Sequence, residues 1–231
     1  ALVESCDVYF YAVGRRLGVD KIAEYAKRMG LGKETGIDLG NEKEGLIPTS
    51  EWKMRRWGVP WQPGETVSTA IGQSFVLTTP LQVANLISLV FNGGHLYTPQ
   101  VTRWVRRANG ESLFEFAPLP AGDAGIRPAH LELVKKALVG VVNETRGTGS
   151  KARLNGIAVA GKTGTAQVVA LRRENASKKE DDIPLKFRDH AWFVAIAPAS
   201  DPKIAVSVLV EHGGHGGSTA APIAKKIIEA Y

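Results

Sequence analysis

Two apolar, β-branched runs, Ala191 to Ala197 and Ile204 to Val210, flank a short turn at Ala199-Ser200-Asp201-Pro202. A connection this short holds no crossover helix, so the two runs pair as antiparallel strands. Upstream, Ile157 to Ala160 and Thr165 to Val169 read as one extended strand around Gly161 to Gly164. The rest of the chain carries helical spacing. Val8 to Leu17 and Lys21 to Met29 form the first helices, stopped by Gly30-Leu31-Gly32. Thr79-Pro80 opens a stronger one, with Leu81, Ala84, Ile87, Val90 and Phe91 on one face and Asn92-Gly93-Gly94 at its end. A further helix runs from Arg127-Pro128 through Leu131, Val134, Leu138, Val141 and Val142, and Ala221-Pro222 begins the last, Ile223 to Ala230. Residues 33–78 read as long loops with short helices. Gln100 to Arg106 and Glu111 to Phe116 form a hairpin about Asn109-Gly110, and Gly147-Thr148-Gly149-Ser150 is a flexible connection. The expected fold class is α+β, an antiparallel sheet flanked by helices.

Composition adds boundaries. With 231 residues, 44% of them hydrophobic and 23% charged, the chain supports one sizeable core. No run approaches the about 18 apolar residues of a membrane span, and no basic-then-apolar leader opens the sequence. The abrupt start, Ala-Leu-Val-Glu-Ser, reads as a cut inside a domain. The single Cys6 excludes an internal disulfide and a Cys-rich metal site. The net charge of +6 is scattered, so the basic clusters read as solvated surface and no nucleic-acid partner is expected. His212 and His215 lack a third ligand at metal-site spacing and read as part of a mobile Gly-rich turn, so neither metal nor cofactor is expected. The polar span Leu171 to Asp189 reads as a flexible lid, and Trp52, Trp57 and Trp61 as anchors of the loops around them.

The chemistry gathers at Gly156 to Thr165, where two motifs overlap. Gly156, Gly161, Lys162 and Thr163 satisfy the phosphate-loop pattern G-x-x-x-x-G-K-[ST]. A phosphate loop, however, needs a strand before it and a helix after it. Here Lys151 to Asn155 is no strand, Ile157 to Ala160 wants to be one, and Thr165 onward is also strand-like. Lys162-Thr163-Gly164 equally satisfies the K-T-G element of acyl-serine enzymes. On a strand, Lys162 would project into a cleft as a cation, and the small Gly164 between Thr163 and Thr165 would let a substrate backbone lie alongside.

At the other end, Ser5-Cys6-Asp7 precedes the first helix, 157 residues before Lys162. By itself it reads as a helix cap, with Ser5 or Asp7 as the capping residue. As the element between S-x-x-K and K-T-G it has the order of an acyl-serine enzyme. With Thr69 to Ser74, Thr79 to Gln82, Gly161 to Gln167, His190 to Phe193 and Gly213 to Pro222, the whole chain resembles a class B penicillin-binding protein, closest to the elongation-type penicillin-binding protein 2 subgroup.

The resemblance implies a penicillin-binding-protein/β-lactamase-like transpeptidase fold, with residues 1–231 the C-terminal portion of one such domain and its N-terminal part missing. It implies a serine-type D,D-transpeptidase that cross-links peptidoglycan stem peptides through an acyl-serine and is acylated by β-lactams. Ser5, Asp7 and Lys162 would be catalytic, Thr163, Gly164 and Thr165 would bind substrate, and the Thr165 N–H would form half the oxyanion hole. Expected partners are stem peptides, β-lactams and a membrane glycosyltransferase, at the periplasmic face of the bacterial inner membrane. A β-lactam sensor domain is the alternative reading. Two departures stand out: Asp7 where most members have Asn, and Gly72-Gln73-Ser74 where many have Gly-Gln-Gly, the second without mechanistic consequence at this level. The nucleophile motif is represented only by Ser50-Glu51-Trp52-Lys53, out of order and in a loop region. The expectation is that Ser50 is not the nucleophile and that the fragment alone is inactive.

Overall fold

The computed structural model describes residues 1–168 and 183–231. Helices α1 (Asp7–Leu17) and α2 (Val19–Arg28) are followed, within the loop-rich stretch, by the short helices α3 (Ser50–Trp57) and α4 (Pro63–Thr69). Then come α5 (Pro80–Phe91), β1 (His95–Thr98), β2 (Trp104–Arg106), β3 (Ser112–Glu115), β4 (Leu119–Asp123) and α6 (Pro128–Asn143). The last third holds β5 (Ala160–Ala166), β6 (His190–Ala197), β7 (Ile204–Val210) and α7 (Ala220–Ala230).

The main sheet has the order β5-β6-β7 with both pairs antiparallel, as the short turn after β6 requires. Side chains alternate between its faces. Phe193, Ala195, Val206 and Val208 pack with Val141, Val142 and the Ala220, Ala224 and Ile228 side of α7. Ala160, Val194 and Ile196 point the other way, against Ile87 and Val90 of α5 and Leu131 and Leu138 of α6. Helices cover both faces, which is why β6 and β7 read as nearly continuous apolar runs. Lys162 pairs in register with Val194 and so shares the α5–α6 face.

Several boundaries differ from expectation. The strand around Lys162 begins at Ala160 rather than Ile157. Its partner β6 ends at Ala197, before Pro198, which has no N–H, and only one further bond, from Ala199 N–H to Ala158 C=O, continues the pairing. Val169 and most of the Leu171 to Asp189 excursion fall outside the described residues. The β2–β3 hairpin is shorter than its expected strands, and β1 pairs with β4, a contact the sequence did not announce.

The loops before the sheet are firmly tied. Thr79 and Gln82 form a reciprocal cap at the start of α5, the hydroxyl accepting from Gln82 N–H at 3.2 Å and Gln82 Oε1 accepting from Thr79 N–H at 2.9 Å. The buried Gln82 amide also donates to the carbonyls of Lys33 at 2.7 Å and Glu44 at 2.8 Å, so one side chain stitches the 33–45 loop to the helix. Trp52, Trp57 and Trp61 gather around Phe75 with ring centroids 5.4, 5.1 and 6.0 Å away, and anchor the loops as expected. Lys53 bonds both Glu65 oxygens, at 2.5 and 2.7 Å, beneath the same cluster. The result is a fixed platform from α3 to Gln73 that borders the open edge of β5.

Candidate active site

Lys162 sits in the middle of a continuous strand that runs through Gly161-Lys162-Thr163-Gly164 without forming a loop and without a helix behind it. The phosphate-loop reading therefore fails. The backbone here is extended, with its N–H groups alternating between the β6 ladder and the opposite edge, so they do not curl together around a phosphate. Gly216 matters for a steric reason: the Gly213 to Gly217 turn crosses close to β5, and a Cβ on Gly216 would run into the backbone oxygens of Trp192 and Gly164, whereas a Cβ on Gly164 would meet Trp192 Cβ at 3.1 Å.

Ser5 reaches Lys162 from the far end of the chain. The Lys162 ammonium donates to Ser5 Oγ at 2.8 Å and to the Thr163 carbonyl at 2.8 Å. Ser5 occupies the left-handed region, φ 52°, within a turn closed by Cys6 N–H to Ala1 C=O at 3.0 Å. An L-residue with a Cβ pays about 1–2 kcal/mol for that conformation, and here it aims the hydroxyl at the lysine. The capping expectation is corrected: Cys6 is the N-cap of α1, no side chain caps it, and Asp7 lies in the first turn. The Ser5 oxygen is used by Lys162 instead. The segment is braced by Arg146, which donates to Glu4 at 2.6 Å, and by Thr148 N–H on the Val3 carbonyl at 3.4 Å. The Thr148 and Thr163 hydroxyls meet at 2.9 Å, so the 147–150 connection supports both halves of the site.

Burial pushes the Lys162 ammonium down to about 8, and the nearby Asp7 carboxylate works against that shift. The group is thus mostly charged near neutrality yet close to giving up its proton, the condition for a proton relay. Ser5, Asp7, Gln73, Lys162, Thr163 and Thr165 line one cleft of about 740 Å³. All the expected site residues converge there, Gly164 included. A second, mostly apolar cavity of about 650 Å³ lies over Ile87, Val90, Leu138 and Val194, with Lys162 at its border.

Sequence reasoning missed Gln73. Its amide donates to the Thr165 carbonyl at 2.7 Å, and its oxygen accepts from Gln167 N–H at 3.2 Å. Gly72 and Ser74 on either side both have positive φ, 76° and 66°, and this reversal throws the Gln73 side chain onto β5. The Gly-Gln-Gly comparison held the signal. The second glycine marks a left-handed position, which Ser74 fills at a cost.

Ser50 lies elsewhere. Its hydroxyl donates to Asp20 at 2.6 Å and its N–H to the same carboxylate at 2.8 Å, while Lys53 is held by Glu65. The formal S-x-x-K match is a helix start and an ion pair. His212 and His215 also part company: His212 N–H donates to His190 Nδ1 at 2.9 Å, whereas His215 borders the cleft. Among the described residues, no group of three His, Cys, Asp or Glu is placed to hold a metal.

Residues 1–229 match the penicillin binding protein transpeptidase domain. The peptidoglycan D,D-transpeptidase MrdA of Haemophilus influenzae is 40% identical over all of this chain, which covers 35% of that relative. A structure of Pseudomonas aeruginosa PBP2 in complex with WCK 5153 superposes with a TM-score of 0.82 at 35% identity, covering 100% of this chain and 48% of that one. PBP2 in its complex with MreC from Helicobacter pylori gives 0.80 at 34% identity, covering 100% and 39%. This chain spans about a third of the length of the curated relatives it matches, 35% and 37% of the first two. The antiparallel sheet flanked by helices, the Ser5–Lys162 contact and a match of nearly every residue agree: the chain belongs to the penicillin-binding protein transpeptidase domain family.

Proposed function

We propose that these residues supply the proton-transfer and substrate-binding half of a peptidoglycan D,D-transpeptidase that works through an acyl-serine and is acylated by β-lactams. The observation that carries the reading is the Lys162–Ser5 contact at 2.8 Å beside an open strand edge in a shared cleft. A serine attacks the penultimate D-alanyl carbonyl and gives up its hydroxyl proton, the C–N bond to the terminal D-alanine breaks, and the released amine takes a proton in turn. Ser5 and Lys162 form the relay that delivers that proton, with Lys162 near its own pKa. An amine of a neighbouring stem peptide then takes the acyl group, and the serine is regenerated. The positive charge on Lys162, with the Thr163 and Thr165 hydroxyls, holds the substrate carboxylate. The Thr165 N–H forms one half of the oxyanion hole, a donor worth roughly 3–4 kcal/mol in a comparable acyl transfer. Asp7 tunes Lys162 through its charge.

The serine that takes the acyl group belongs, on this reading, to a part of the protein outside these 231 residues. The apolar cavity that borders Lys162 suits a helix carrying it. The fragment is accordingly part of a single transpeptidase domain. Its site is the periplasmic face of the inner membrane, its substrates are stem peptides, and its partner is a membrane glycosyltransferase of the elongation machinery. No described helix is long and apolar enough to cross a membrane.

The test is fluorescent penicillin on the full-length protein, followed by mapping of the labelled peptide. Covalent label on a serine outside residues 1–231 is expected. Absence of label, or label on Ser50, overturns the reading.

A further inference from the structure

β5 pairs with β6 on one edge, and among the described strands nothing pairs with the other, which opens onto the cleft. In an antiparallel ladder the N–H and C=O of one residue point to the same side, and successive residues alternate. The Thr163 carbonyl meets Lys162, while the Thr165 carbonyl and the Gln167 N–H meet Gln73. Residues 163, 165 and 167 therefore present their backbone groups to the open edge. An extended peptide adds to such an edge through main-chain hydrogen bonds.

Part of that edge is already taken. Gln73 donates to Thr165 C=O at 2.7 Å and accepts from Gln167 N–H at 3.2 Å. These are an acceptor and a donor two residues apart, flanking Ala166, the pair that an added strand engages at this position. The Gln73 carboxamide imitates a substrate backbone. It is held in place by the platform beneath it: the Lys53–Glu65 pair, the Trp61 indole N–H on Thr66 Oγ1 at 2.8 Å, and the left-handed residues Gly72 and Ser74.

Resting on the acyl-serine reading, we infer that Gln73 is a specificity-determining residue. Its carboxamide closes the β5 edge at Thr165, and a ligand opens it by offering its own N–H to the Thr165 carbonyl. An acyl-peptide stem or a β-lactam bearing an acylamino N–H makes that exchange and pays for the displaced bonds. A β-lactam without such an N–H leaves Gln73 where it is. Removing the carboxamide thus favours only ligands of the first kind, and only in the binding step that precedes acylation.

The experiment compares acylation of the full-length protein and its Gln73→Met and Gln73→Ala variants by benzylpenicillin, which carries the acylamino N–H, and by a hydroxyethyl-substituted carbapenem, which does not. Met keeps the length and bulk of Gln, so it separates hydrogen bonding from packing. The expected result is a benzylpenicillin acylation efficiency raised about three- to tenfold in both variants, the range that one net hydrogen bond represents. The gain should lie in the half-saturating concentration, with the limiting acylation rate and the carbapenem unchanged. Equal or slower benzylpenicillin acylation, or equal changes for both ligands, overturns the inference while leaving the acyl-serine reading standing. If the wild-type protein takes no label from either ligand, the reading fails and the inference with it.

Discussion

The Lys162 ammonium lies 2.8 Å from Ser5 Oγ across 157 residues of chain, with burial depressing the lysine to about 8. Two elements that the sequence separates are thus one hydrogen-bonded unit. Its members should fail together. In the full-length protein, Ser5→Ala and Lys162→Met are each expected to slow benzylpenicillin acylation by about a hundredfold or more, the usual scale of a lost proton relay. The double variant should be little worse than either single one, because groups acting as a unit are not additive. Stopped-flow acylation rates read this directly. Full additivity would mean that the contact has no part in the reaction.

Burial sets the direction of the lysine's shift, and Asp7 partly offsets it. Its charge raises the Lys162 value that burial lowers, so Asp7→Asn should move the lysine further below about 8. For the wild type, the folded group titrates near 8 and the unfolded one at the ordinary lysine value of 10.5. Between those values the unfolded chain binds the extra proton, so stability rises with pH across that window, and below about 8 the buried ammonium is a constant cost. Asp7→Asn extends the window downward. NMR titration of the Lys162 Cε resonance checks this, and an unchanged or raised value would remove Asp7 as the cause.

The parts of this fold that were legible in sequence were those where local chemistry and tertiary packing demand the same thing. The β6 and β7 runs are apolar because helices cover both faces, and the short turn left them only one pairing. Thr79-Pro80 announced α5 because capping is local. Lys162, Thr163 and Thr165 were legible through motif order. Gln73 was not. Its role depends on two left-handed neighbours and on a strand more than ninety positions away. The β1–β4 pair was hidden for a related reason: its short, largely exposed strands carry no alternating apolar pattern.

Ser50 provides a negative control for the motif. Its hydroxyl serves the Asp20 carboxylate, and Lys53 serves Glu65, so neither faces the cleft that Ser5 and Lys162 line. Ser50→Ala should lower stability by about 0.5–1 kcal/mol, the net value of an exposed side-chain hydrogen bond, and leave penicillin labelling at the wild-type rate. A loss of labelling in a variant whose melting temperature shifts by only a few degrees would make Ser50 chemical after all.

Ser74 carries a cost that substitution can relieve. At φ 66° its Cβ crowds the backbone, a penalty of about 1–2 kcal/mol that glycine avoids, while glycine gives back about 0.5–1 kcal/mol in unfolded-state entropy. Ser74→Gly is therefore expected to stabilise the domain by about 0.5–1 kcal/mol, read as a raised denaturation midpoint of its transition in the full-length protein. Ser74→Ala keeps the Cβ and should bring no gain. If both variants were stabilised equally, loss of the hydroxyl and not relief of the left-handed backbone would be the cause. Because Gly72 and Ser74 together aim Gln73 at β5, the glycine variant should also retain wild-type selectivity between benzylpenicillin and a carbapenem. Glycine adopts this conformation without strain, so the turn keeps its shape and the carboxamide stays on Thr165.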